Sequence, residues 1–107
     1  MSLKPAWFQI LLTLAEGRAH GAEIRRKTQA RTDGSVEIYP AMLYGSLDDL
    51  TDRGWIEELS EAEARPPDAN PRQRFYQLTA AGREALAQET ARLRALVQSA
   101  TRALESC

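Results

Sequence analysis

The segment at residues 38–57 limits the possible folds of this chain more than any other, because it predicts one short helix that leads into a strand. Pro40 suits a first helical turn, where a backbone N–H would have no partner within the helix. Gly54 suits the left-handed conformation that often ends a helix. Three leucines between them recur at helical spacing and predict one buried stripe: Leu43, Leu47 and Leu50. Two strand-forming residues follow the glycine, Trp55 and Ile56.

The outer face of this predicted helix lacks the long charged side chains of an ordinary solvated helix. It carries small or flat groups instead: Ala41, Met42, Tyr44, Gly45 and Ser46. A helix that is seated firmly on one face and uncharged on the other is expected to present that second face to a partner. Tyr39 occupies the capping position although tyrosine is a poor capping residue, so we expect it to have another role.

Length and composition indicate a small globular protein. The 107 residues form most simply one compact domain with an appended element. The 43% hydrophobic and 27% charged residues argue against wholesale disorder. Cys107 is the only cysteine in the sequence, so the chain can form neither an internal disulfide nor a thiolate zinc site. No apolar run reaches the length of a membrane span and no signal peptide is evident, so we expect a cytoplasmic protein.

The net charge of −1 says nothing in favour of nucleic acid, but the charges are segregated along the chain. Residues 18–31 carry five basic residues and one acidic residue. Residues 32–64 carry nine acidic residues and one basic residue, and residues 65–74 carry three basic residues and one acidic residue. A basic surface can therefore exist on this mildly acidic protein, although each cluster can equally be a solvated face.

Two helices and a short strand are predicted before the central helix. The first helix opens at Pro5 and ends at Gly17, and the second begins after His20-Gly21 and runs to about Ala30. Alternating apolar and charged residues at 36–38 suggest a very short strand.

A hairpin and a long helix are predicted after the central helix. Residues 55–59 and 73–78 are strand-like, and the polar, proline-containing loop at 60–72 joins them. Thr79 is a good N-cap, and the helical pattern continues from there to the C-terminus. The element order predicts a mainly α fold with a small β-hairpin, a winged helix-turn-helix followed by a long C-terminal helix.

This architecture suggests two functional parts, a winged helix-turn-helix DNA-binding domain at residues 1–78 and a C-terminal dimerisation helix at residues 79–107. A helix fits the major groove of B-DNA, the second helix crosses the backbone, and a wing reaches phosphates or the minor groove. Arg65 is a further wing residue that could serve in this way. The predicted DNA-binding residues are Arg25, Arg26, Tyr39, Ala41, Met42, Tyr44, Gly45, Arg72 and Arg74.

Each of these residues also has a purely structural interpretation. Tyr44 can lie against the wing, Met42 can fill the edge of the core, and the arginines can be solvated. On the C-terminal helix, apolar residues recur every seven positions, and the helix is longer than so small a core can cover. The apolar stripe left exposed favours a symmetric dimer. The predicted interface residues are Trp7, Leu86, Leu93, Leu96, Val97, Ala100 and Leu104. Trp7 and Phe8 either line an effector pocket between subunits or belong to the core.

Five motifs in this order resemble the PadR family of bacterial transcriptional regulators: ILLTLAEG at 10–17, HGAEI at 20–24, YPAMLYGSL at 39–47, GWI at 54–56 and RFYQLTAAG at 74–82. The resemblance spans nearly the whole chain. It implies a homodimeric repressor with a winged-helix head, whose C-terminal helix pairs with its mate and often with the first helix of the other subunit. The short length is similar to members with a single C-terminal helix. The expected partners are double-stranded DNA, a second copy of the chain and a small aromatic or amphipathic effector.

The chain departs from the family pattern in two places. The family commonly has a basic residue where this chain has Asp48 and Asp49, and usually an aromatic residue where Ala22 stands. Carboxylates on a DNA-facing surface oppose phosphates, so the alternative function is a winged-helix protein-interaction module without DNA binding. Enzyme activity is not expected, because the lone His20 and the adjacent aspartates form no catalytic or metal-binding constellation. No cofactor is predicted.

Overall fold

The computed structural model describes residues 3–60 and 73–106, and in these ranges it contains four helices and three strands. In chain order they are α1 (Pro5–Glu16), β1 (Ala19–His20), α2 (Gly21–Thr32), α3 (Pro40–Asp52), β2 (Ile56–Glu58), β3 (Phe75–Leu78) and α4 (Ala80–Glu105). The predicted fold class, a mainly α winged helix-turn-helix with a long C-terminal helix, is confirmed. The loop predicted at 60–72 lies outside the described residues from position 61 onward, and so does Cys107.

The sheet corrects one prediction. Residues 36–38 form no strand, so the short strand predicted there is wrong. The outer edge of β3 is instead occupied by β1, which pairs Ala19 with Tyr76 and His20 with Phe75, giving the antiparallel order β1-β3-β2. Ile38 is buried as a single anchor, and its carbonyl accepts a hydrogen bond from Arg25 Nε at 2.9 Å. This side-chain bond serves the backbone in place of a strand partner.

The core lies between α1, α2, α3 and the sheet. The leucine stripe predicted on α3 is confirmed, since Leu43, Leu47 and Leu50 are each at most 1% exposed. Burial of each such side chain stabilises the fold by roughly 1.5–3 kcal/mol. Their neighbours come from all the other packed elements: Trp7, Ile10, Leu11, Leu14, Ala19, Ile24, Ile38, Ile56 and Tyr76.

A network of three hydrogen bonds joins the end of α3 to the start of α4. Gly54 adopts the left-handed conformation at φ 76°, and its carbonyl accepts a bond from Thr79 Oγ1 at 2.6 Å. Thr79 Oγ1 also accepts from the Gly82 N–H at 3.1 Å, and Thr79 N donates to the Trp55 carbonyl at 3.1 Å. Thr79 is thus the N-cap of α4, as predicted, and also a tie to the preceding turn.

The two halves of α4 have different surroundings. In the first half Glu89 is buried, and its carboxylate accepts bonds from Leu3 N at 3.2 Å and from Arg92 Nε at 2.8 Å and Nη2 at 2.7 Å. The hydrogen bonds from Arg92 hold the pKa of Glu89 below its usual value. In the second half, every described residue from position 94 to position 106 is exposed. A 26-residue helix is about 39 Å long, which accounts for the 56 × 27 × 23 Å extents of the molecule.

Even α4, the longest helix in the described part of the chain, has no apolar stretch that would let it cross a bilayer. Placing a domain boundary between residues 78 and 79 stays a prediction.

We predict that Gly82→Ala destabilises the fold. A Cβ at this position would lie 1.9 Å from the Trp55 carbonyl oxygen, so α4 must move away from the turn after α3. The expected loss is about 1–3 kcal/mol or more in the free energy of unfolding, measured by urea denaturation. Gly45→Ala is the matched control, because its Cβ would meet nothing within 4 Å; it should stabilise by about 0.5–1 kcal/mol. Equal stability of Gly82→Ala and the wild type would contradict the close packing described here.

Candidate nucleic-acid interface

The first half of α3 presents an uncharged surface, largely as predicted. Tyr39 is 62% exposed, Met42 40% and Tyr44 52%, and Ala41 and Gly45 are also exposed. The remaining member of the predicted outer face, Ser46, is buried instead, because it lies beside the leucine stripe rather than opposite it.

Tyr39 is held in place by an acidic neighbour. Its backbone caps α3 without any side-chain bond, and its hydroxyl instead donates to Glu37 Oε2 at 2.9 Å. This hydrogen bond, together with the charge of Glu37, raises the pKa of Tyr39, so the hydroxyl keeps its proton at neutral pH. The single O–H of Tyr39 is therefore engaged by the Glu37 carboxylate, although the side chain itself is exposed.

The predicted residues from α2 meet Tyr39 in one groove. Arg25 and Arg26 line it together with Ala22 and the acidic Glu37, and the cavity measures about 300 Å³. Both arginines are exposed, and Arg25 is anchored by its bond to the Ile38 carbonyl. The structure thus brings three of the predicted DNA-binding residues together beside the N-terminus of α3.

Tyr44 and Arg74 meet on the other side of Ala22. They line a smaller cleft of about 140 Å³ together with His20. A Cβ on Gly21 would lie 3.8 Å from the Tyr44 hydroxyl oxygen, so the tyrosine ring lies against the start of α2. The ring therefore contacts the fold with one edge while about half of its surface stays exposed.

Arg74 is paired within the wing. It projects from the position just before β3, and its guanidinium donates to Glu58 Oε1 through Nη2 at 2.7 Å and Nε at 3.1 Å. The hydrogen bond to Glu58 raises the pKa of Arg74, and the charge of Asp48 acts in the same direction. The other predicted wing arginines, Arg65 and Arg72, lie outside the described residues.

The two adjacent aspartates face different surroundings. Asp48 lies close enough to Arg74 and Tyr76 to influence both electrostatically, so it faces the wing. Asp49 instead lines the grooves beside Trp7 and the start of α1. Neither aspartate belongs to the uncharged first half of α3, and Asp48 has the cation Arg74 near it.

Trp7 lies in an aromatic cluster that the sequence analysis missed. Its ring meets the Trp55 ring edge to face, with centroids 6.2 Å apart and an interplanar angle of 88°. The Arg53 guanidinium carbon lies 4.9 Å from the Trp7 centroid and 5.3 Å from that of Trp55, and Lys4 Nζ lies 5.2 Å from Trp7. These residues border a groove of about 500 Å³. Trp7 is only 7% exposed, so most of its surface belongs to the core.

The residues predicted for a dimer interface divide along α4. Leu86 packs against the core, and Leu93 is half-buried. Beyond them the apolar side chains are exposed in the single chain: Leu96 at 54%, Val97 at 64% and Leu104 at 78%, with Ala100 exposed between them. A second apolar surface is therefore present, separate from the face of α3.

Within residues 3–60 and 73–106, no three histidine, cysteine, aspartate or glutamate side chains lie close enough together to hold a metal ion. His20 has a structural role there, since its Nδ1 accepts from Glu23 N at 3.3 Å and its ring meets Phe75 edge to face at 5.2 Å.

A three-helix core, a three-stranded antiparallel sheet and an outward-facing third helix define the winged helix-turn-helix class. A family model described as "Transcriptional regulator PadR-like family" matches residues 10–88. The chain belongs to this family, as its motifs suggested, and it is therefore a transcriptional regulator and not an enzyme.

Solved structures with a similar fold come from several bacteria. A transcriptional regulator from Clostridium thermocellum has a TM-score of 0.74 at 22% identity, over 91% of this chain and 87% of that one. A PadR family regulator from Clostridium difficile R20291 has a TM-score of 0.74 at 19% identity, over 94% and 99%. Bacillus subtilis PadR, solved in complex with operator DNA, has a TM-score of 0.66 at 21% identity, over 79% and 46%. None of the curated proteins compared with the chain matches it.

Proposed function

We propose that this protein is a homodimeric, sequence-specific DNA-binding repressor that reads base edges with the first half of α3. The observation that carries the proposal is the exposed, uncharged first half of α3. Beside it, Tyr39 shares one groove with Arg25 and Arg26, and Tyr44 shares a second cleft with Arg74. A relative of similar fold, Bacillus subtilis PadR, is known bound to operator DNA, which supports the same use of the fold here.

The side chains of this surface suit the major groove. Ala41 and Met42 offer apolar contact to thymine methyl groups, and Gly45 has open space around it that permits close approach of the DNA backbone. Tyr44 has an exposed hydroxyl that can donate to phosphates or base edges, whereas the Tyr39 hydroxyl would have to exchange its bond to Glu37 for one to DNA. The arginines of α2 and of the wing would neutralise phosphates on either side.

The exposed stripe on α4 supports pairing with a second copy of the chain. Leu96, Val97, Ala100 and Leu104 continue an apolar line that the single chain leaves uncovered. A two-fold pair of α4 helices would bury this line and would present two reading surfaces to a palindromic site. Trp7 is only 7% exposed, so it would contribute a small area at the edge of this interface.

The groove beside Trp7 and Trp55 is the best candidate for an effector that releases the repressor. The half-buried Trp55 ring offers stacking surface for a small aromatic or amphipathic molecule, and Trp7 adds its small exposed edge. Lys4 and Arg53 supply positive charge at the border of the groove, and Asp49 and Asp52 supply negative charge. The groove adjoins both the end of α3 and the start of α1, so an occupant would contact elements of the reading head. A cytoplasmic location stays a prediction.

The acidic residues of α3 and β2 favour one alternative, a winged-helix interaction module without DNA binding. Asp48 is offset by the nearby Arg74, which weakens that alternative without removing it. Direct measurement of DNA binding separates the two.

We expect the protein to bind the DNA upstream of its own gene, with an affinity that falls steeply with salt. Arg26→Ala and Arg74→Ala should each weaken binding, and each lost phosphate contact should reduce the slope of log K against log salt by about 0.9. Gly45→Ala should also weaken binding while leaving the fold stable, since the added methyl projects into the reading surface. Fluorescence anisotropy with labelled duplexes measures all three. Arg102→Ala, at the exposed far end of α4, is the control. Absence of wild-type binding at about 50 mM salt would contradict the proposal and favour the interaction module.

We expect Leu96→Asp to dissociate the dimer. A charge placed in a two-fold apolar interface is buried twice per dimer, so the dissociation constant should rise about 100-fold or more. Analytical ultracentrifugation reads the oligomeric state directly. Gln98→Asp introduces the same side chain at an exposed position two residues away and should leave the dimer intact. A monomeric wild type, or equal effects of both substitutions, would count against α4 as the interface.

We expect small aromatic carboxylates or amphipathic cations to bind beside the two tryptophans. Because Trp7 and Trp55 are the only tryptophans in the sequence, binding should quench the intrinsic fluorescence saturably. The same concentrations should release the labelled duplex. A panel of both ligand classes that changes neither signal would exclude this groove as the effector site.

A further inference from the structure

The pair formed by Glu58 and Arg74 lies across neighbouring strands of the wing. In the antiparallel register Glu58 stands opposite Tyr76, so Arg74 is its diagonal neighbour on the same face of the ribbon. Both nitrogen contacts of the guanidinium end on a single oxygen, Glu58 Oε1, at 2.7 and 3.1 Å. In the unbound protein the described basic residue of the wing is therefore already engaged by a carboxylate.

This engagement is exchangeable. The side chains of Arg74 and Glu58 are 55% and 41% exposed, so solvent screens the pair and a strong anion can displace the carboxylate. The charge of Asp48 is a second acidic influence on the same guanidinium. A DNA phosphate must therefore compete with protein carboxylates for Arg74.

We propose that Glu58 is a positioning residue that competes with DNA phosphate for Arg74 and thereby lowers the affinity of the wing for DNA. The proposal rests on the DNA-binding function proposed above and assigns a role to an acidic residue in setting the strength of that binding. On binding DNA, Arg74 exchanges the Glu58 carboxylate for a phosphate. The phosphate contact therefore adds to the binding free energy only the difference between the two ion pairs.

The neighbouring residue supplies a matched control. Glu57 carries the same charge on the same strand, but it points to the opposite face and pairs with the neutral amide of Gln77. Loss of the Glu57 charge reduces general repulsion of DNA by a similar amount without releasing a cation. The difference between Glu58→Gln and Glu57→Gln therefore isolates the competition for Arg74.

The test is a double-mutant cycle in the full-length protein, with binding to the upstream duplex measured at several salt concentrations. Glu58→Gln should tighten binding about two- to fivefold more than Glu57→Gln does, because an exposed ion pair is weak. It should also steepen the salt dependence more than Glu57→Gln does, because Arg74 would then neutralise a phosphate without leaving the Glu58 carboxylate uncompensated beside the DNA. In the Arg74→Ala background, Glu58→Gln and Glu57→Gln should have equal effects.

A second measurement of the Glu58–Arg74 pair uses the unbound protein and needs no DNA. In the unbound protein, the Arg74 Nε–H should exchange with solvent faster in Glu58→Gln than in the wild type or in Glu57→Gln, as followed by NMR. Equal effects of Glu58→Gln and Glu57→Gln in the protein that retains Arg74 would overturn the proposed competition while leaving DNA binding intact. A larger gain from Glu58→Gln than from Glu57→Gln in the Arg74→Ala background would overturn it as well. Failure of the wild type and of all the variants to bind DNA would instead overturn the proposed function, and the competition with it.

Discussion

The hydroxyl of Thr79 makes two hydrogen bonds at once, donating to the Gly54 carbonyl and accepting from the Gly82 N–H. The orientation of α3 relative to α4 depends on this pair of bonds. Gly54 ends the helix that carries the proposed reading surface, and Gly82 lies in the first turn of the helix proposed to dimerise. Since the two are joined across a contact that leaves no room for a Cβ at Gly82, the start of α4 packs closely against the turn after α3. Two reading surfaces in a dimer would therefore keep a defined spacing.

The charges of the molecule are arranged around the same contact. The first half of α3 is uncharged on its exposed side, whereas its second half carries Asp48 and Asp49 toward the wing and the tryptophan cluster. Asp48 influences Arg74 electrostatically, and Asp49 lines the same groove as Lys4, Asp52 and Arg53. The exposed residues among 41–45 of α3 are themselves uncharged, but carboxylates border them: Glu37 accepts a hydrogen bond from Tyr39, and Glu37 and Asp49 line one groove with Met42 and Gly45. The buried Glu89 is satisfied by Arg92 and a backbone N–H.

The structural features that depend on a local pattern could be predicted from the sequence. The stripe of Leu43, Leu47 and Leu50, the stop at Gly54 and the cap at Thr79 each depend on residues within a few positions of one another. Prediction failed where a partner is distant along the chain. The two residues of β1 have no pattern of their own, and only Tyr76 and Phe75 make them a strand. The alternation at 36–38 came from a single buried Ile38 in a loop.

The candidate site divides in the same way. The exposed face of α3 follows from helical periodicity, because the buried stripe fixes its opposite side. The partners of Arg74 and Trp7 depend on strand register and on the end of α3, which spacing alone does not provide. Apolar positions on α4 are equally compatible with a core and with an interface, so Leu86 and Leu96 could not be distinguished until the packing was known.

The most direct test of a dimer that reads DNA through α3 is a hydroxyl-radical footprint of the protein on the DNA upstream of its own gene. A symmetric dimer should protect two stretches related by two-fold symmetry, with centres about 10 base pairs apart or a multiple of that distance. Protection without two-fold symmetry, or no protection at protein concentrations well above those that saturate binding of related regulators to their operators, would contradict it.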